Sequence, residues 1–242
     1  MQITKSIHRT LLAGTLVAAS AAIALADFPN RNIEIFHPWG PGNAMAMSQV
    51  VAKAMGEELG TDMPVISLPG AAGTKAQTTA MGKPADGYTI FDGYVAPLVL
   101  QPILGNADWN YKDFKPLSAA VANAFSIAGQ VDETRWSNFE EMMAYCQANR
   151  GELRYSSGSR NNLPHMVIAK ALQGYDCVAQ NVPYTQDGNV FKDLGSKVLD
   201  FAFINVGNFR SNPDKVKILM VLSELESSKK AFLGAPTIAD LD

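Results

Sequence analysis

The chain has 242 residues, 47% of them hydrophobic and 18% charged, and a formal net charge of −3 at pH 7. Such a composition describes an ordinary globular chain, long enough for one large domain or two small ones. Its acidic balance without a basic block argues against a nucleic-acid partner. An anionic ligand stays open, because amides at helix ends bind anions locally whatever the global charge.

In chain order, Lys5, His8 and Arg9 precede an apolar run over 11–25, and Ala24-Leu25-Ala26 closes it with a small-x-small pattern. The run is short for a membrane span of about 20 residues and carries no recurring polar face, so 1–26 reads as a secretory signal cleaved after Ala26. No cysteine follows that point, which argues against a lipid anchor there. Removing Lys5 and Arg9 leaves 18 basic against 23 acidic residues, a charge of −5. Export would put Cys146 and Cys177, 31 residues apart, where a disulfide can persist. A bond needs Cα atoms within about 7 Å, so the sequence leaves a disulfide and two buried thiols both open.

A strand over 33–37 runs into Gly40-Pro41-Gly42-Asn43 and a helix over 44–59. A second strand, 65–68, runs into Pro69-Gly70-Ala71-Ala72-Gly73 and an Ala/Thr/Gln-rich helix reaching about 81. After the turn 84–87 a third strand covers 88–91. This β-α-β-α-β order predicts a mostly parallel sheet with helices on both faces, both glycine loops falling at the carboxyl ends of the strands. One Gly/Pro cluster usually just turns the chain. Two at the same rim, each opening a helix, could clasp a carboxylate between their N–H groups.

Residues 94–114, with Pro97, Pro102, Gly105, Trp109 and Tyr111, read as a long connection, and 117–128 as strands crossing between two lobes. A second alternating unit follows: a helix over 136–149 with Ser137 as N-cap and Glu140 completing a capping box, a strand at 153–156, a polar loop at 157–162 and a helix at 163–172. Strands at 178–184, 198–204 and 216–222 and a helix around 190–194 complete it. No repeat is strict enough for a solenoid.

Seven motifs stand in register across nearly the whole exported chain: PWGPGN, LPGAAGT, PADGYTI, DFKPL, GELRYSSGSRNNLPH, NVPYTQDG and GAPTIADLD. Together they resemble the extracytoplasmic substrate-binding proteins of tripartite tricarboxylate transporters, the Bug family. The resemblance implies an α/β fold of the periplasmic-binding-protein type II kind, with two βα lobes, 27–120 and 121–222, and a ligand cleft between them. It implies a return segment, 223–242, toward the first lobe. Members continue for several tens of residues beyond the Pro-Thr motif, so the segment is expected to be incomplete at Asp242. It further implies a non-enzymatic, monomeric periplasmic receptor that captures a small organic carboxylate, needs no cofactor and delivers its ligand to membrane permease subunits.

Carried onto this sequence, the pattern assigns one carboxylate to backbone groups of Gly42, Asn43, Ala72, Gly73 and Thr74, with Trp39 and Tyr184 as walls. Asn161, Asn162, His165, Asp187 and Asn205 would read the distal end. Several positions depart from the pattern: Asn43 replaces a glycine, Met45-Ala46 a Thr-Asp pair, Ser67-Leu68 an Asn-Arg, Asn161-Asn162 a Gly-Ser, and Thr185-Gln186 a Lys-Gly. These changes point to a ligand unlike that of the commonest members, or to relaxed function.

Catalytic readings find little footing. The chain has three histidines, His8, His37 and His165, and no metal-ligand spacing. There is no G-x-S-x-G elbow beside Ser157 and Ser159, no phosphate loop and no dinucleotide fingerprint. A secreted hydrolase or transferase using His165 as base is the rival, and a truncated remnant that binds nothing is the third reading.

Overall fold

The computed structural model describes residues 28–184 and 187–240. The expected signal segment and its cleavage site lie outside them. Two sheets carry the fold, each with its own helices and its own apolar core.

In the first unit, β1 (Glu34–His37) runs into α1 (Asn43–Leu59), β2 (Val65–Ser67), α2 (Thr74–Met81) and β3 (Thr89–Phe91). All pairings are parallel and the order is β2-β1-β3. Alternate residues of a strand point to opposite faces; Ile33 and Ile35 therefore pack together with Ala52 of α1 and Met63. The helix stops at Gly60, whose left-handed φ of 66° suits glycine and whose N–H closes on Gly56 O. Gly56 has to be small as well, because a Cβ there would lie 2.6 Å from Thr61 O.

The stretch read as a connection contains structure. A π-helical segment, Ala96–Leu100, continues into a short α3 (Gln101–Ile103), and a 3-10 turn, Tyr111–Asp113, is held by an Asn110–Asp113 capping box. Prolines 97 and 102 masked this helix in the sequence; Pro97 sits in its first turn, where no N–H is required, and Pro102 lies further along, directly after the π-helical turns. Of the expected crossing strands, only β4 (Phe125–Gln130) forms.

In the second unit, β4 is followed by α4 (Phe139–Ala148), β5 (Arg154–Ser156), α5 (Leu163–Gly174), β6 (Gln180–Asn181), α6 (Asp187–Gly195), β7 (Phe201–Asn205), α7 (Val206–Ser211), β8 (Val216–Val221) and α8 (Glu226–Ala231). The sheet order is β6-β5-β7-β4-β8; β5, β6 and β7 are parallel, whereas β4 lies antiparallel between β7 and β8. One face buries Phe139, Met142, Met143, Ile168 and Phe201, the other Val190, Leu194, Ile204, Phe209 and Phe232. Cys146 of α4 is disulfide-bonded to Cys177 beyond α5, their Cα atoms 5.3 Å apart. The closing stretch packs on this second sheet: Phe232 lies against Phe209 with ring centroids 5.3 Å apart, and Thr237 bridges to Val221.

The start of α4 differs from expectation by one residue. Asn138, not Ser137, is the N-cap, accepting from Glu141 N at 2.8 Å, while the Glu141 carboxylate takes the Ser137 N–H and hydroxyl. Trp136, expected inside the helix, is instead buried before it, tilted on Tyr145 with the Arg135 guanidinium over its ring.

Candidate functional site

Because β1 and β2 are adjacent and parallel, the loops that leave their carboxyl ends are neighbours. Leu68 N donates to His37 O at 2.9 Å and Ser67 Oγ to Trp39 O at 2.8 Å, which ties the loops at their bases. Gly73 fits against both Pro38 and Pro97, where a Cβ would meet ring atoms at 3.1 and 3.0 Å.

Both helices that follow these loops start without a side-chain cap. Gly42 precedes α1 and Gly73 precedes α2; neither helix has an acidic residue in its first turn. The first N–H groups of a helix have no intrahelical acceptor, and they carry the positive end of the macrodipole. In the second loop the backbone is left-handed at four consecutive residues, with φ of 141° at Gly70, 47° at Ala71, 50° at Ala72 and 95° at Gly73. Two of these are alanines, for which that conformation costs roughly 1–2 kcal/mol each. Gly73 N and Thr74 N are used within the loop, bonding Gly70 O and Ala71 O, and Thr74 Oγ1 also donates to Ala71 O. Of the donors assigned to this loop, Gly73 and Thr74 therefore hold its shape. Among the described residues the amides of Ala71 and Ala72 have no acceptor.

Under the first loop, fully buried His37 places Nδ1 2.7 Å from Asp92 Oδ2, and the Ser48 hydroxyl donates to that same oxygen. The arrangement ties β1, α1 and the end of β3 together. It is no hydrolytic triad, since Ser48 addresses the carboxylate and His37 Nε2 has no partner among the described residues. Trp39 stands edge-on to Tyr94, centroids 5.5 Å apart.

The second-unit candidates are more heavily engaged in their own structure. Asn162 caps α5, accepting from His165 N at 2.8 Å and donating to Ser157 O. Asn205, buried at the end of β7, caps α7 by accepting from Asn208 N. Tyr184 donates to Asp193 Oδ2 at 2.6 Å; burial first, then that carboxylate, push its pKa up to about 12. Asp187 opens α6. Asn161, with φ 59°, donates its N–H to His165 Nδ1 at 3.1 Å. An imidazole that accepts at Nδ1 is neutral with its proton on Nε2, and burial, then the Arg160 charge, hold His165 below its ordinary value. In that tautomer Nε2–H is the ring's remaining donor. Ser157 Oγ accepts from Asn181 and Ser159 Oγ donates to Tyr184 O, so neither serine addresses that ring.

Among the described residues, two side-chain hydrogen bonds join the units at this rim. Asn43 Nδ2 donates to Asn208 Oδ1 at 2.7 Å, and Gln101 Nε2 donates to Asn161 O at 2.6 Å. Sequence reasoning missed Gln101, Gly207 and Asn208. Gln101 sat in a stretch read as connection, and the others lie in a six-residue helix too short to leave a periodic signal. Among the described residues no group of His, Cys, Asp and Glu is arranged to hold a metal ion. A surface depression of about 1130 Å³ lies between α1 and residues 60–65. It sits at the opposite ends of the strands from the glycine loops, and its charged lining mixes Arg31 and Lys53 with Glu57 and Asp62.

A two-unit α/β molecule with a seam at the carboxyl ends of its strands has the periplasmic-binding-protein fold. Its backbone is similar to MatC from Rhodopseudomonas palustris with bound malate (TM-score 0.78, 16% identity, 88% of this chain and 73% of that one). It is also similar to an R. palustris protein with adipate (0.76, 19%, 88% and 72%) and to the periplasmic binding protein BugD (0.71, 20%, 88% and 72%). The model of the tripartite tricarboxylate transporter family receptor matches residues 47–241, and the chain belongs to that family, as its motifs implied. Relatives include a UPF0065 protein of Bordetella pertussis, 28% identical over 83% of this chain and 62% of its own length. Protein BugT of the same organism is 23% identical over 92% and 69%. The chain thus spans somewhat over three-fifths of the first of these relatives.

Proposed function

We propose that this protein is a periplasmic solute receptor, not an enzyme, that captures a small organic carboxylate and presents it to the membrane subunits of a tripartite tricarboxylate transporter. The observation that carries the reading is the pair of uncapped helix starts at one rim, α1 after Gly42 and α2 after the left-handed Gly70–Gly73 curl. Amides of Asn43, Ala44, Ala71 and Ala72 would take one carboxylate, with Trp39 as a wall. From the second unit, His165 Nε2–H and the polar loop 157–162 are the groups suited to the distal end, with Asn162 and Asn205 acting through the helices they cap. Family membership supports the reading, as do the malate and adipate bound by proteins of like fold. Contacts to both units would stabilise the closed form, because only differential affinity for closed over open shifts that balance.

The test is a thermal-shift screen of the purified chain against dicarboxylates, tricarboxylates, aromatic acids and acidic amino acids. A site filled at 100 times Kd raises stability by about 2.7 kcal/mol, an upward shift of several degrees for the matching acid. No shift across the panel, together with an uncooperative melt, would favour a remnant that binds nothing.

A further inference from the structure

Asn43 is the first residue of the anion-seat helix α1, and its side chain reaches out of its own unit. The amide donates to Asn208 Oδ1 across 165 residues of sequence. Beside Asn208, Gly207 leaves a notch in which that side chain lies: a Cβ at Gly207 would meet Asn43 Nδ2 at 2.8 Å, Cγ at 2.9 Å and Cβ at 3.1 Å. Apart from the chain neighbours and the backbone of its own helix, all three of the nearest atoms belong to Asn43. Gly207 lies inside α7 and its φ is not left-handed. Alanine would suit the helix better there than glycine, and its methyl would collide with Asn43 across the seam. Asn208 is itself fixed, its N–H held by the Asn205 cap of the same helix.

We infer that Gly207 and Asn43 are positioning residues of the binding site: the Asn43 side chain seated over Gly207 and bonded to Asn208 sets how closely the two units approach. The contact acts on the donors of the seat, because Asn43 carries one of the first free amides of α1. Moving Asn43 moves that helix start relative to the second unit, and with it the gap a ligand has to bridge. Because packed side chains admit few arrangements, one methyl in the notch acts as a wedge.

The ligand arm of the test rests on the receptor reading; the distance arm does not. Cysteines replacing exposed Lys53 on α1 and Lys170 on α5 would be spin-labelled in the full chain, the native cysteines being paired. Distances are then measured without ligand. The expected result is a single short distance for the parent, a longer or broadened one for Gly207→Ala, and return to the parent value in Gly207→Ala/Asn43→Gly. The Gly207→Ala chain should melt no lower than the parent, which separates wedging from misfolding. With malate as probe, affinity should fall about tenfold in Gly207→Ala and recover in the double variant. A Gly207→Ala distance superimposable on the parent, a parent already at the longer distance, or a double variant that stays open would each overturn the inference. Absence of malate binding in the parent, with the distances as expected, would count against malate as ligand and leave the seam contact standing.

Discussion

The helices at the rims of the two units begin in opposite ways. In the second unit α4, α5 and α7 each start under an asparagine, Asn138, Asn162 and Asn205, whose side chain accepts from the amide three residues on. In the first unit α1 and α2 start after glycines with no side chain on those amides. A glycine cap is weaker than an asparagine cap by only a few tenths of a kcal/mol, so the first unit gives up little at its two helix starts, and it adds two left-handed alanines. The second unit spends its polar side chains on itself and is further stapled by a disulfide. The two units thus differ at their helix starts: asparagine side chains hold α4, α5 and α7 of the second, whereas α1 and α2 of the first leave amides at the rim that are open to water or to a guest.

The widest difference should come from the staple. A bond closing a 31-residue separation restricts the unfolded chain by about 3–4 kcal/mol. Replacing Cys146 and Cys177 together by alanine should lower the unfolding free energy by that order while leaving carboxylate affinity near its parent value, as followed by urea titration and calorimetry. A large loss of affinity with little loss of stability would contradict that expectation.

Gly42→Asp should reverse the character of the first unit. The backbone at Gly42 is extended, φ 164°, and a Cβ there meets nothing within 4 Å, so the carboxylate can cap α1. Stability should rise by about 0.5 kcal/mol, from the cap and the helix dipole, while affinity for an added acid falls at least about tenfold, roughly 1.4 kcal/mol. Opposite signs in the melt and in the titration are the expected pair; both rising together would contradict the account. The converse change, Asn162→Ala, removes a cap from the second unit and should cost about 1 kcal/mol, read as a lower melting temperature.

The smallest effect concerns acid. His165 sits below its ordinary value, chiefly through burial and then through Arg160. The unfolded chain takes up a proton near the usual value of 6.5 that the folded chain resists, so this contribution is intact above that pH and is lost as pH falls below it. In His165→Gln, which keeps an acceptor for Asn161 N–H, the melting temperature should decline less between about pH 7 and pH 5 than in the parent. An identical decline in both would mean that His165 is not held neutral.

The sequence carried the first unit well because its signals are local: alternation in 33–37, glycine loops, and helices that open directly after them. The structure departs from those boundaries by no more than a residue or two. It carried the second unit less well, since the antiparallel seat of β4 between β7 and β8 depends on pairings far apart in the chain, Gly129 with Phe201 and Gln130 with Val216, which no short window reports. At the site, glycines announced the two loops, but which amides are used within the second loop depends on its curl, and Gly73 and Thr74 are held there by their own bonds. Tyr184 is a candidate wall in the sequence, although an aromatic beside a proline more often packs, and in the structure its hydroxyl donates to Asp193. His37, Ser48 and Asp92 meet only after three elements have packed, and their spacing of 11 and 44 residues has no pattern to recognise.

Amide chemical shifts during a titration report the donors themselves. With a uniformly 15N-labelled chain and malate or adipate as the added acid, the account predicts the largest displacements at the N–H groups of Asn43, Ala44, Ala71 and Ala72, with smaller ones in 157–165. Displacements centred instead on the depression beside residues 29–32 and 60–65, or a spectrum unchanged by any acid that raises the melting temperature, would contradict it.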